Sequence, residues 1–141
     1  LETRRLALKE LQNGGVVIIF PSGAISRAKR FVDKAVDPIW KKFVAKLATQ
    51  PRTQVLPFFI EGQNTPVFQL AIHCSQTLGY SLMFREICKR MYRPINIKMR
   101  PIMTAQMIAN INDRNKLIDE LRNVTYFGSN EEPINMSSSS K

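Results

Sequence analysis

The residues best suited to chemistry lie in one run, FPSGAISR, from Phe20 to Arg27. Gly23 allows close backbone approach to a bound group, Ser22 and Ser26 bring hydroxyl donors, and Arg27 brings a planar fork that matches phosphate or carboxylate. Such a set would bind an anionic substrate. A Pro-Ser-Gly turn after a strand is also often just a turn, and the run by itself leaves both readings open. His73 is the single histidine; between Ile72 and Cys74 it reads as a structural, partly buried helix residue. Cys74 and Cys88 form no C-x-x-C pair, so they fit neither a zinc site nor a disulfide framework. No metal or cofactor is expected, and a reducing, cytoplasmic setting is the default.

The elements around that run follow from periodicity and punctuation. Leu6, Leu8 and Leu11 among charged neighbours predict a short helix stopped by Gly14 and Gly15. Val16–Phe20 (VVIIF) predicts a strand buried on both faces, as in a parallel sheet covered by helices. Pro21–Val36 reads as a long basic loop. Asp37-Pro38 then reads as N-cap and first residue of a helix with Ile39, Trp40, Phe43, Val44 and Leu47 as its apolar stripe, ended by Pro51. Gln54–Ile60 predicts a second buried strand, with Pro57 marking an edge, bulge or end.

Further on, 67–84 predicts one helix broken near Gly79, Arg85–Arg93 a basic connector, and Ile95, Ile97 and Met99 the inner face of a half-exposed strand. Thr104–Asn110 predicts a helical turn or two. Leu117, Ile118, Leu121 and Val124 make Asp113–Val124 an amphipathic helix. The serine-rich 129–141 reads as a disordered tail. Apolar runs fall short of the ~20 residues that span a bilayer. The order predicts an α/β domain: a mostly parallel sheet flanked by helices, occupying residues 1–128.

Charge narrows the partners. The 141 residues hold 21 Lys and Arg against 11 Asp and Glu, a net +10. All of the excess falls between Arg27 and Arg100, with 14 basic and 4 acidic residues. A field of that sign favours nucleic acid, an anionic membrane or small phosphorylated substrates. Lys29, Arg30 and Lys34 follow the FPSGAISR run, and Arg85, Lys89, Arg90 and Arg93 follow the apolar Leu78, Tyr80, Leu82, Met83 and Phe84. That pairing suits a membrane surface, or equally a core helix followed by a solvated connector. Aromatics are not interleaved with the cations as a base-stacking platform requires, so nucleic acid is the weaker partner.

FPSGAIS, preceded by GGVVII and followed about 30 residues later by VLPFFIEG, resembles the third and fourth blocks of the glycerolipid acyltransferase family. Phe20, Pro21, Gly23 and Ser26 match that family's F-P-E-G-T-R-S, whereas Ser22, Ala24 and Ile25 replace its Glu, Thr and Arg. The hemolysin-like branch of lysophospholipid acyltransferases is more similar. Its F-P-A-G-E-[VI]-S-R and D-P-x-W-K are met by Ile25, Ser26 and Arg27, then by Asp37, Pro38, Trp40, Lys41 and Lys42. IEGQN at Ile60–Asn64 and Arg85-Glu86 also agree, and the resemblance covers roughly residues 5–128.

The resemblance implies acyl transfer from acyl carrier protein or coenzyme A to a hydroxyl of a lysophospholipid or glycerol phosphate, without a cofactor, at the cytoplasmic face of a membrane. Ser22, Gly23, Ser26 and Arg27 would bind the acceptor, with Ser26 and Arg27 on its phosphate. The family's base sits in an H-x-x-x-x-D motif. Five residues after His73 stands Leu78, so the chain offers no catalytic residue of that type. Two expectations follow: the 141 residues are the C-terminal portion of a longer acyltransferase-like domain whose base lies upstream, or they form a non-catalytic basic α/β module that binds anionic lipid or nucleic acid. Either way, residues 1–141 alone are expected to be inactive.

Overall fold

The computed structural model describes residues 2–28 and 33–128. Lys29 and Arg30 of the basic loop, and the 129–141 tail, lie outside the described residues. Seven helices and two strands follow one another as α1 (Glu2–Gln12), α2 (Phe43–Ala48), β1 (Phe58–Ile60), α3 (Pro66–Cys74), α4 (Gln76–Ser81), α5 (Met83–Arg90), β2 (Ile97–Met99), α6 (Ala105–Ala109) and α7 (Arg114–Phe127) among the described residues. The chain forms two compact units, one of Leu1–Pro21, Trp40–Phe59 and Lys98–Lys141, the other of Ser22–Ile39 and Ile60–Ile97.

The expected α/β architecture is not found. Among the described residues the only sheet is a pair, β1 beside β2, antiparallel and not parallel. VVIIF, read as a doubly buried strand, joins no sheet: Val16 is 85% exposed, Ile18 84% and Phe20 77%. A central strand needs a partner on each edge and cover on each face, and apolar composition supplies neither. The second expected strand survives in part. Val55 bridges Met103, while Arg100 N–H donates to Pro57 C=O. One residue on one side, Leu56, therefore stands opposite two on the other, Pro101 and Ile102, a bulge across from the proline that cannot donate.

The first unit owes its core to α7. Asp113 Oδ1 accepts from the N–H groups of Asn115 and Lys116 at 2.7 and 2.9 Å, satisfying two of the helix's free donors. Those hydrogen bonds hold its carboxyl below the ordinary range. Leu117, Ile118, Leu121 and Val124 then fall on one face and pack with Trp40, Val44, Ala45, Ala48, Met103 and Ile108. The helical turn expected over Thr104–Asn110 is α6, and the Thr104 side chain caps it by accepting from Met107 N–H. Asp37-Pro38 opens no helix: α2 begins at Phe43, and Asp37 is used elsewhere.

The second unit is built on α3, α4 and α5. Its expected single helix breaks at Ser75, whose backbone is extended, and again at Leu82, not at Gly79. Gly79 is instead buried within α4, where a Cβ would stand 2.7 Å from Ile72 Cβ. Glycine is there for lack of volume. The expected basic connector is also a helix: Met83–Arg90 is α5, and its single buried residue is Glu86, 4% exposed. Among the described residues no helix is long and apolar enough to cross a membrane.

Candidate functional site

The four predicted site residues, Ser22, Gly23, Ser26 and Arg27, all lie in the second unit, at the start of the segment 22–37. Ser22 is buried; its hydroxyl donates to Ala24 C=O at 2.8 Å and accepts from Ala24 N–H at 3.4 Å. That closes a local turn, and Gly23 at φ +62° supplies the left-handed residue it needs. Space around a Cβ at Gly23 is open, so backbone conformation selects the glycine there.

Ser26 donates its hydroxyl to Asp37 Oδ1. Beside it Arg27 and Val36 exchange both backbone hydrogen bonds, at 3.1 and 3.0 Å, as an isolated antiparallel bridge. The FPSGAISR run and the Asp37-Pro38 pair, ten residues apart in sequence at their nearest ends, are thereby tied together. The Arg27 side chain is half-buried and has no hydrogen-bond or ion-pair partner among the described residues. It is the one permanently charged donor that the four-residue set offers a ligand.

Three side chains from elsewhere in the unit hold this segment. Gln69 and His73 stand one turn apart on the same face of α3. Gln69 Oε1 accepts from Ala28 N–H at 3.1 Å, and His73 Nε2 lies 2.8 Å from Ala28 C=O. A carbonyl only accepts, so Nε2 carries the proton there. Together they grip both polar groups of the residue that follows Arg27. His73 is exposed and not partly buried as its neighbours suggested, but its role is structural. Gln63 Oε1 accepts from Ala35 N–H at 3.0 Å, which fixes the other arm.

Gln63 also faces the far side of the unit, where its C=O accepts from Arg90 Nη2. Gly62, at φ +121°, makes this possible, since a Cβ would stand 2.7 Å from Arg90 Nη1. Next in sequence, Thr65 caps α3, its Oγ1 accepting from Phe68 N–H at 3.4 Å. Its own N–H and hydroxyl both donate to Glu86 of α5, at 2.7 and 2.6 Å. A capping box closed within one helix draws this carboxylate from three residues on. Phe68 holds that position here, and α5 supplies the carboxylate instead. Burial raises the Glu86 pKa, but the two Thr65 hydrogen bonds and the nearby Lys89 and Arg85 outweigh it and hold the carboxyl below its ordinary 4.5.

Sequence reasoning placed Gln63 and Glu86 only within the matching IEGQN and Arg85-Glu86 stretches, and it gave Thr65 and Gln69 no role. Thr65-Pro66 carries the same cap-plus-proline signal as Asp37-Pro38, and it is the pair that opens a helix. Compared with protein-family models, curated proteins and solved structures, the chain matches none.

Proposed function

We propose that this chain belongs to a phospholipid acyltransferase and supplies the part that binds the phosphate-bearing acceptor, a lysophospholipid or glycerol phosphate. The observation that carries the reading is the tied segment Ser22–Asp37. It joins two of the stretches on which the acyltransferase resemblance rests, and the Arg27 side chain it carries has no hydrogen-bond or ion-pair partner among the described residues. A guanidinium suits a phosphate, because its fork gives paired, charge-assisted hydrogen bonds.

Acyl transfer from a thioester on carrier protein or coenzyme A also needs a base to take the acceptor's hydroxyl proton. His73, the single histidine, has Nε2 on Ala28 C=O and serves the loop. On this reading residues 1–141 position the acceptor, and the proton is removed by a group they do not contain. The assignment is tested by titrating a soluble lysophospholipid phosphate into the chain and its Arg27→Ala variant. A loss of about tenfold in affinity is expected for one charge-assisted pair. Equal affinity would remove Arg27 from the site.

Peripheral attachment to an anionic membrane is part of the proposal, and α5 supports it. This helix is inverted: Glu86 faces inward while Phe84 is 75% exposed and Ile87 and Met91 are about half exposed. Arg85 and Lys89 flank that apolar strip on the same short helix. An interfacial helix has this composition, and each cation near an anionic leaflet contributes about 1 kcal/mol.

A further inference from the structure

The inner side of α5 borders a second feature of the same unit, a pocket of about 380 Å³ lined by Gln63, Thr65, Glu86, Lys89, Arg90 and Arg93 together with Pro94 and Ile95. Three cations and one carboxylate meet there. Both Glu86 oxygens are taken by Thr65, which leaves the carboxylate as a fixed part of the wall. One Arg90 N–H is given to Gln63 C=O, which orients the guanidinium and leaves its other donors. The Arg93 side chain has no partner among the described residues, and Lys89 feels Glu86 through space without a hydrogen bond to it. Three cations gathered in a concavity with one carboxylate leave a net positive field.

We infer that this pocket is a binding site for a phosphomonoester dianion, held by Lys89 and Arg93 against the Arg90 wall. The volume lies in the lower part of the range of about 300–1,000 Å³ for small-molecule sites, larger than a phosphate group alone requires and roomy enough for its first substituent atoms. A dianion with three terminal oxygens matches several converging N–H donors better than a monocarboxylate does. The site shares Gln63 with the Arg27 segment but none of its cations, and it does not depend on the acyltransferase reading.

The test is residue-resolved. Inorganic phosphate, methyl phosphate, and vesicles of phosphatidylcholine with and without phosphatidate are each titrated into the full chain, and amide shifts are followed by NMR. Saturable shifts at Gln63, Thr65 and Arg93 are expected, with affinity lowered at least tenfold in a Lys89→Gln/Arg93→Gln variant and retained in Lys89→Arg/Arg93→Lys. Saturation by the free phosphates identifies a soluble ligand; saturation only by phosphatidate vesicles identifies a lipid headgroup. Arg27→Ala should leave these shifts unchanged while altering those of Ser22–Arg27, so failure at one site is read apart from failure at the other. Absence of saturable shifts at the pocket with all four probes, or shifts that persist undiminished in the Gln variant, would overturn the inference.

Discussion

Glu86 offers the most exacting test of how the second unit is held. Its carboxylate receives two short, charge-assisted hydrogen bonds from Thr65, at 2.7 and 2.6 Å, and is 4% exposed. Hydrogen bonds to a charged group contribute about 1.5–3 kcal/mol each, less the cost of taking the carboxylate out of water. Glu86→Ala strands both Thr65 donors at the start of α3 and should cost about 2–4 kcal/mol. Glu86→Gln should cost only about 1 kcal/mol, because its amide can accept from the backbone N–H and donate to the hydroxyl once that rotates.

The pH dependence carries the sign. The folded pKa lies below the unfolded one, so the carboxylate's contribution is complete above the ordinary value of 4.5 and is lost as pH falls through the folded value. Urea unfolding followed by far-UV circular dichroism, at neutral pH and again well below 4.5, measures both effects. Hydrogen exchange at Phe68 and Gln69 reports local opening of the α3 start. The wild-type advantage over Glu86→Gln should shrink with acid. A cost for Glu86→Ala under about 0.5 kcal/mol, or a wild-type advantage over Glu86→Gln that is the same at both pH values, refutes the account.

Two further outcomes follow from packing. Gly79→Ala places a Cβ 2.7 Å from Ile72 Cβ and 2.9 Å from its Cα, so α3 and α4 must shift. A loss of about 1–3 kcal/mol in urea unfolding is expected, and a neutral substitution would show that the two helices are not in close contact. Phe84→Ser with Ile87→Ser removes the outward apolar strip of α5 at little cost to folding, since both side chains already face water. Flotation with phosphatidylglycerol-containing vesicles should fall at least tenfold, each apolar side chain being worth about 1.5–3 kcal/mol when buried; undiminished flotation removes α5 from the membrane contact.

What could be read from the sequence was local. The start and apolar face of α7 were legible because Asp113 caps its own helix and the repeat of Leu117, Ile118, Leu121 and Val124 is a property of one segment, although the helix runs on to Phe127, past the expected Val124. The Ser22-Gly23 turn was legible for the same reason. Asp37 shows the limit: its carboxylate has the chemistry of a helix cap, yet it accepts from Ser26, and that competition between partners eleven residues apart leaves no mark in the local pattern.

The sequence by itself determined the apolar face of α7, the tight turn, the solitary histidine and the concentration of positive charge in the middle of the chain. Only the tertiary structure decided which apolar stretches are inside. VVIIF has the composition of a central strand and stands exposed, because a strand's backbone groups are satisfied by other strands and not by itself. The helix α5 turns Glu86 inward and Phe84 outward for a related reason: the free N–H and hydroxyl of Thr65 sit where a carboxylate can reach them, and satisfying those two donors orients the helix.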